Sequence, residues 1–202
     1  PETVKKIYAS WANELAADSF AFVFSGYAAV AALHDVISGP PRSVFAFRMN
    51  DPHPISYLRV LIGTEMCRRF YGKGPWDELE KLFFGSYPID QYDYPSIKLI
   101  KMCIPAMKES VEICTNTKFR AFSGRSLCEL VDPNHVSPGT LQKLETLAGP
   151  GLFTSHAWIH KECLRLLALN GYKIALSGKD VKNEYQKQHD WMLKLGYAVE
   201  LN

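Results

Sequence analysis

The chain has 202 residues, 47% of them hydrophobic and 22% charged, which is an ordinary globular composition with enough length to bury one sizeable core or two small ones. Its 23 basic and 21 acidic side chains give a net charge of +2 with no Lys/Arg block, so the broad attraction that a nucleic-acid partner needs is missing and none is expected. Five scattered cysteines without a C-x-x-C pair suggest reduced thiols and a cytoplasmic setting.

Residues 2–24 read as one helix, with Val4, Ile7, Tyr8, Trp11, Leu15, Phe22 and Phe24 as apolar positions. Glu14 and Asp18 are four residues apart, so they project one above the other from the face they share with Ile7 and Trp11. They therefore lie beside the apolar stripe and not opposite it. Ser25-Gly26 is expected to bend the chain, and 27–37 continue the helix until Gly39-Pro40-Pro41 ends it, with His34 in the last turn. The most apolar stretch, 20–33, is too short and too rich in Ala and Gly for a membrane span, so none is expected.

The loop over 42–54 carries a short strand-like run, Val44-Phe45-Ala46-Phe47, and then Asn50-Asp51-Pro52-His53-Pro54. A strong helix is expected over 55–71, with Ile55, Leu58, Leu61, Ile62 and Met66 on its apolar face and Gly72 and Gly74 as its stop. Pro75 opens a short helix through 84. The stretch 86–95, rich in Tyr, Asp and Pro, is expected to be an ordered loop, with Tyr87, Tyr92 and Tyr94 packed in it or else lining a groove, and it is also the expected boundary between a unit over 1–85 and a C-terminal helical bundle over 86–202.

Ser96 is expected to cap a helix through about 114 that Pro105 kinks. Short helices follow at 126–131 and 140–148, the second opened by Ser137-Pro138, before the break at Gly149-Pro150-Gly151. Ser155 then caps a helix through Asn170-Gly171, and a last helix runs over 180–195 and ends at Gly196. Strand signals are confined to 44–47 and 172–176, so the fold class expected is mainly α: a multi-helix bundle with little or no sheet.

A carboxylate beside a core is costly unless it is paired or bound to a metal. Glu14 is placed to ligate a cation, with Asp18 holding a second ligand from behind; the plain alternative is a charged pair on a solvated stripe. His156 and His160, also at i and i+4, can share a metal, but Ala157 stands where a catalytic glutamate would be, so such a site would be structural. Packing and capping at that helix start is the other reading of the pair. No serine elbow, phosphate loop or dinucleotide glycine signature is present.

Glu14-Leu15-Ala16-Ala17-Asp18, followed by His53-Pro54 and Arg59, resembles the catalytic domain of the gluzincin zinc metallopeptidases after their H-E-x-x-H helix, in particular the HtpX-like and CAAX prenyl-protease group. The likeness covers residues 11–70, about a third of the chain. It implies that Glu14 is a zinc ligand, that Asp18 braces a ligand histidine, and that His53 and Arg59 face the substrate near the oxyanion. It also implies zinc as cofactor and a protein or peptide as partner. One departure stands out: no H-E-x-x-H occurs in the 202 residues. The missing Met and the start within a helix pattern lead us to expect those histidines upstream, and this chain alone to hydrolyse nothing. The competing expectation is a non-enzymatic helical protein-interaction module in which Glu14 and Asp18 pair with arginines such as Arg59.

Overall fold

A computed structural model describes residues 2–49, 51–178 and 181–200. The expectations placed on Asn50 and Asp180 lie outside the described residues. The molecule is mainly α, a multi-helix bundle. Among the described residues there is no strand, only an isolated antiparallel bridge between Phe119 and Arg125.

The first long helical pattern is divided in two, α1 (Glu2–Ser10) and α2 (Ala12–Ser25), because Trp11 leaves helical geometry to sink its indole into the core. At Gly26 the chain takes φ +59° and turns into α3 (Tyr27–Ile37). A side chain there would be strained, and its Cβ would lie 2.8 Å from the carbonyl oxygen of Val136. After α4 (Pro41–Val44) comes α5 (Ser56–Tyr71), which buries Tyr57, Leu58 and the run from Val60 to Thr64 and is the central helix of the bundle. Gly63 lets α5 approach Val30 of α3, where an added Cβ would meet Val30 Cγ1 at 3.0 Å.

Beyond α6 (Pro75–Ser86) the residues 86–95 form an ordered loop whose tyrosines pack, as expected. The Tyr87 hydroxyl donates to the Gly39 carbonyl at 2.8 Å and accepts from the Gly39 N–H at 3.0 Å, and Tyr92 and Tyr94 pack on Phe45. The strand-like run 44–47 is used in the same way: it ends α4 and buries Val44 and Phe45 among aromatic rings rather than pairing in a ladder.

Pro105 does interrupt the next helix, giving α7 (Ser96–Cys103), a 3-10 turn, and α8 (Met107–Asn116). Ser96 does not cap α7; its hydroxyl donates to the Phe45 carbonyl. A single turn, α9 (Leu127–Leu130), is closed by a capping box between Ser126 and Glu129. The chain finishes with α10 (Pro138–Ala148), α11 (His156–Lys161), α12 (Cys163–Leu176) and α13 (Val181–Glu200). Gly171 and Gly196 stop nothing. α12 runs on through 172–176, the second strand-like stretch, because Tyr172 packs edge-on to Tyr27 of α3. Gly171 is small so that α12 can lie against α3: an added Cβ would sit 2.6 Å from the Cβ of Ala28.

Two apolar clusters result. The first gathers residues from Val4 to Leu127, including Tyr87, Ile97, Ile100, Cys103 and Val111; the second runs from Val136 to Trp191. The division of the core therefore falls after residue 127, not after 85, because α7 and α8 bury their apolar faces on α2 and α5. All five cysteines are free thiols. No helix among the described residues is long and apolar enough to cross a membrane.

Candidate functional site

Glu14 and Asp18 lie one turn apart on α2. Arg59 lies in the first turn of α5, and His53 sits in the turn that leads into it, between Pro52 and Pro54. Proline on either side favours extended backbone and delays the helix start to Ser56. Helix packing of α2 on α5 brings all four residues together.

Arg59 Nε donates to Asp18 Oδ2 at 2.9 Å, and Arg59 Nη2 donates to Asp18 Oδ1 at 2.7 Å. This is a two-point fork on a carboxylate, the geometry in which a guanidinium binds most strongly. The same Nη2 lies 3.5 Å from Glu14 Oε2. The other Glu14 oxygen, Oε1, is 3.7 Å from His53 Nε2. Exposure rises outward across the group: 15% for Arg59, 18% for Asp18, 29% for Glu14 and 61% for His53. Burial alone would pull the Arg59 guanidinium toward its neutral form. The hydrogen bonds and charge of Asp18, with Glu14 behind them, outweigh this and hold its pKa above the ordinary arginine value.

His53 is held from its far side. Asp51 Oδ1 accepts the His53 backbone N–H at 3.0 Å and stands 2.9 Å from His53 Nδ1. These contacts, the backbone one foremost, hold the Asp51 carboxyl below the ordinary aspartate value, so it is ionised at neutral pH and can only accept. The proton of that contact therefore sits on Nδ1, and Nε2 is directed at Glu14. Beside the ion pair lies a cavity of about 320 Å³, with Asp18 and Arg59 on its wall and Ala21, Val30, Ile62 and Met66 among its apolar lining.

The remaining histidines stay apart from this group. His156 and His160 are both exposed on the short helix α11. His34 Nδ1 is 3.1 Å from Asp35 Oδ1, and its ring lies edge-on to Phe83. Among the described residues no group of three or more His, Cys, Asp or Glu side chains is placed to hold a metal ion. Within this chain Glu14 and His53 offer two donors at one spot, fewer than the three protein ligands of a catalytic zinc.

Sequence reasoning missed Asp51 as part of the group, although Asp two residues before a proline-flanked His is the signal of a side-chain-closed turn. It also missed a second ionic network, where Arg68 is held by Glu65, Asp77 and Glu80 between α5 and α6. No family model matches the chain, and neither a curated protein nor a solved structure matches it.

Proposed function

We propose that this chain is a zinc-metallopeptidase-like domain of the gluzincin type, carrying the part that follows the H-E-x-x-H helix, and that it is catalytically silent on its own. The observation that supports this reading is the convergence of Glu14, Asp18, His53 and Arg59, which the primary structure separates by up to 45 positions, from residue 14 to residue 59. In this reading Glu14 is the carboxylate ligand and Asp18 the residue that orients a ligand histidine. His53 stands at the exposed mouth on the substrate side. Arg59 fixes both carboxylates, and the apolar cavity beside them suits a side chain of a protein or peptide substrate. Zinc held by three protein ligands supplies a water acidic enough to attack a peptide carbonyl. The two donors of this chain do not make that centre, so no hydrolytic step is assigned to its residues alone. The free thiols suit a reducing, cytoplasmic setting.

A second reading, a non-enzymatic protein-interaction module, draws on the Arg59 fork. Both Asp18 oxygens already accept from Arg59, which is what a purely structural ion pair would show. Metal analysis of the longest natural form of the protein separates the two. Stoichiometric zinc that is lost in Glu14→Gln supports the peptidase-like reading, and no zinc in either form supports the interaction module.

A further inference from the structure

Residues 118–125, which join α8 to α9, read Lys-Phe-Arg-Ala-Phe-Ser-Gly-Arg, three cations and two aromatic rings without an acid. All of them but Phe122 are exposed. The backbone is nonetheless pinned. The Phe119 N–H donates to the Arg125 carbonyl at 3.0 Å, the Gly124 N–H to the Phe119 carbonyl at 3.0 Å, and the Ser123 N–H to the Arg120 carbonyl at 3.1 Å. Ser123 takes φ +55°, a left-handed conformation that serine adopts at a cost. The loop therefore holds its side chains in a fixed array outside the bundle.

That array is continuous with α2. Phe122 meets Phe119 edge-on at 5.8 Å and Phe20 edge-on at 6.0 Å, and Phe20 stacks on Phe24 at 6.4 Å. Phe20 and Phe119 each stay 40% exposed. A lone exposed ring is ordinary, but joined rings rimmed by cations mark a docking surface. The two residues of an antiparallel bridge carry their side chains on one face, so Arg125 rises beside Phe119. Arg120 and Arg125 form no ion pair among the described residues. Lys118 is 3.4 Å from Glu129, an exposed contact that is weak in water. Phe20 follows Asp18 by two residues, about 200° around α2, so this surface lies on the other side of the helix from the Glu14–Asp18 pair.

The charge and shape select among occupants. A second copy of the same face would bring Arg120 and Arg125 against their own equivalents. A peptide needs a groove, whereas a loop exposed along nearly its whole length is a projection. Single-stranded nucleic acid needs a basic track with open ring faces, and here the rings cover one another edge to face. A bilayer needs neither groove nor track: apolar rings enter the headgroup boundary while guanidiniums meet lipid phosphates.

We propose that the 118–125 loop, together with Phe20, docks the protein on an anionic lipid surface. Phe119 and Phe20 enter the interface, Phe122 holds the two rings together, and Arg120, Arg125 and Lys118 face the phosphates. The attachment is peripheral and reversible, and it needs no metal at Glu14.

The test is cosedimentation of the 202-residue chain with vesicles of phosphatidylcholine carrying about 30% phosphatidylserine, in about 0.1 M salt. Binding is expected there, with none on pure phosphatidylcholine and release near about 1 M salt, where screening is nearly complete. Arg120→Gln and Arg125→Gln should each weaken the partition constant about fivefold, and the double change about 25-fold. Phe119→Ala should weaken it about fivefold with the salt dependence unchanged. Circular dichroism checks that each variant is folded. Lys143→Gln, which removes the same charge from an exposed position on α10, should stay within about twofold of wild type. No binding to the anionic vesicles, equal binding to pure phosphatidylcholine, or loop variants that partition like wild type would overturn the proposal. Weakening by Lys143→Gln as large as that by Arg120→Gln would do the same, because it reduces the effect to net charge. Oligothymidylate or polyglutamate captured through Arg120 and Arg125, with the vesicles left unbound, reassigns the surface to nucleic acid or to an acidic protein and also overturns it.

Discussion

The pairing of Arg59 with Asp18 sets how firmly the site is held, because both partners are largely shielded from water and joined by two charge-assisted hydrogen bonds. Arg59→Ala should destabilise the chain by about 2 kcal/mol, since it strands a half-buried carboxylate. Arg59→Lys should recover only part of this, because an ammonium cannot make the fork. Urea midpoints at constant slope would measure both. Asp51, Asp77 and Glu129 form another set of residue-scale contacts. Each accepts a backbone N–H, foremost among the causes that hold its carboxyl below the ordinary value. A carboxyl whose folded pKa is depressed contributes its stability above the ordinary carboxylate range and loses it as pH falls through the folded value. Stability should therefore be flat from neutral pH down to about pH 4 and decline below it. In thermal melts Asp77→Asn should flatten that decline. At this scale the sequence was informative where geometry is local. Four-residue spacing dictates that Glu14 and Asp18 share a face, and His-Pro places His53 at a helix start. Arg59 was named from the sequence as a partner of Glu14 and Asp18, but the two-point fork that joins it to Asp18 in particular was not legible, because tertiary packing sets where the guanidinium points.

Helix boundaries show the same division. Pro105 and Gly26 acted as breakers where the pattern put them, since a missing N–H and a positive φ are backbone facts that context cannot override. Gly171 and Gly196 looked equally like stops, yet both sit inside helices. For Gly171 the reason is a neighbour invisible in one dimension: Ala28 of α3 lies where a side chain would go. Gly171→Ala, which by intrinsic propensity would stabilise a helix, should instead cost about 1 to 3 kcal/mol by forcing α12 away from α3. A matched Gly196→Ala, where nothing lies within 4 Å of the added atom, should be neutral or stabilising. Denaturant unfolding of the two variants side by side would distinguish packing from propensity.

For the whole molecule, the apolar pattern gave the mainly α architecture without ambiguity, but it placed the unit boundary at a Tyr- and Pro-rich loop that in fact packs into the core. The three tyrosines were expected to pack within the loop, but what they pack on, the Gly39 backbone and the ring of Phe45, could not be read from one dimension. Residues 1–85 made alone should therefore lose fixed tertiary packing, seen as a collapsed near-ultraviolet dichroism signal, because the surfaces that receive Ile100, Cys103 and Val111 would face water. The functional account rests on the place where α2 and α5 meet. Anomalous scattering at the zinc edge from crystals of the longest natural form tests it most directly. The account predicts a peak within about 2.2 Å of a Glu14 carboxylate oxygen. A zinc peak bound elsewhere, or none with Arg59 clamped on Asp18 and Glu14 open to solvent, would contradict it.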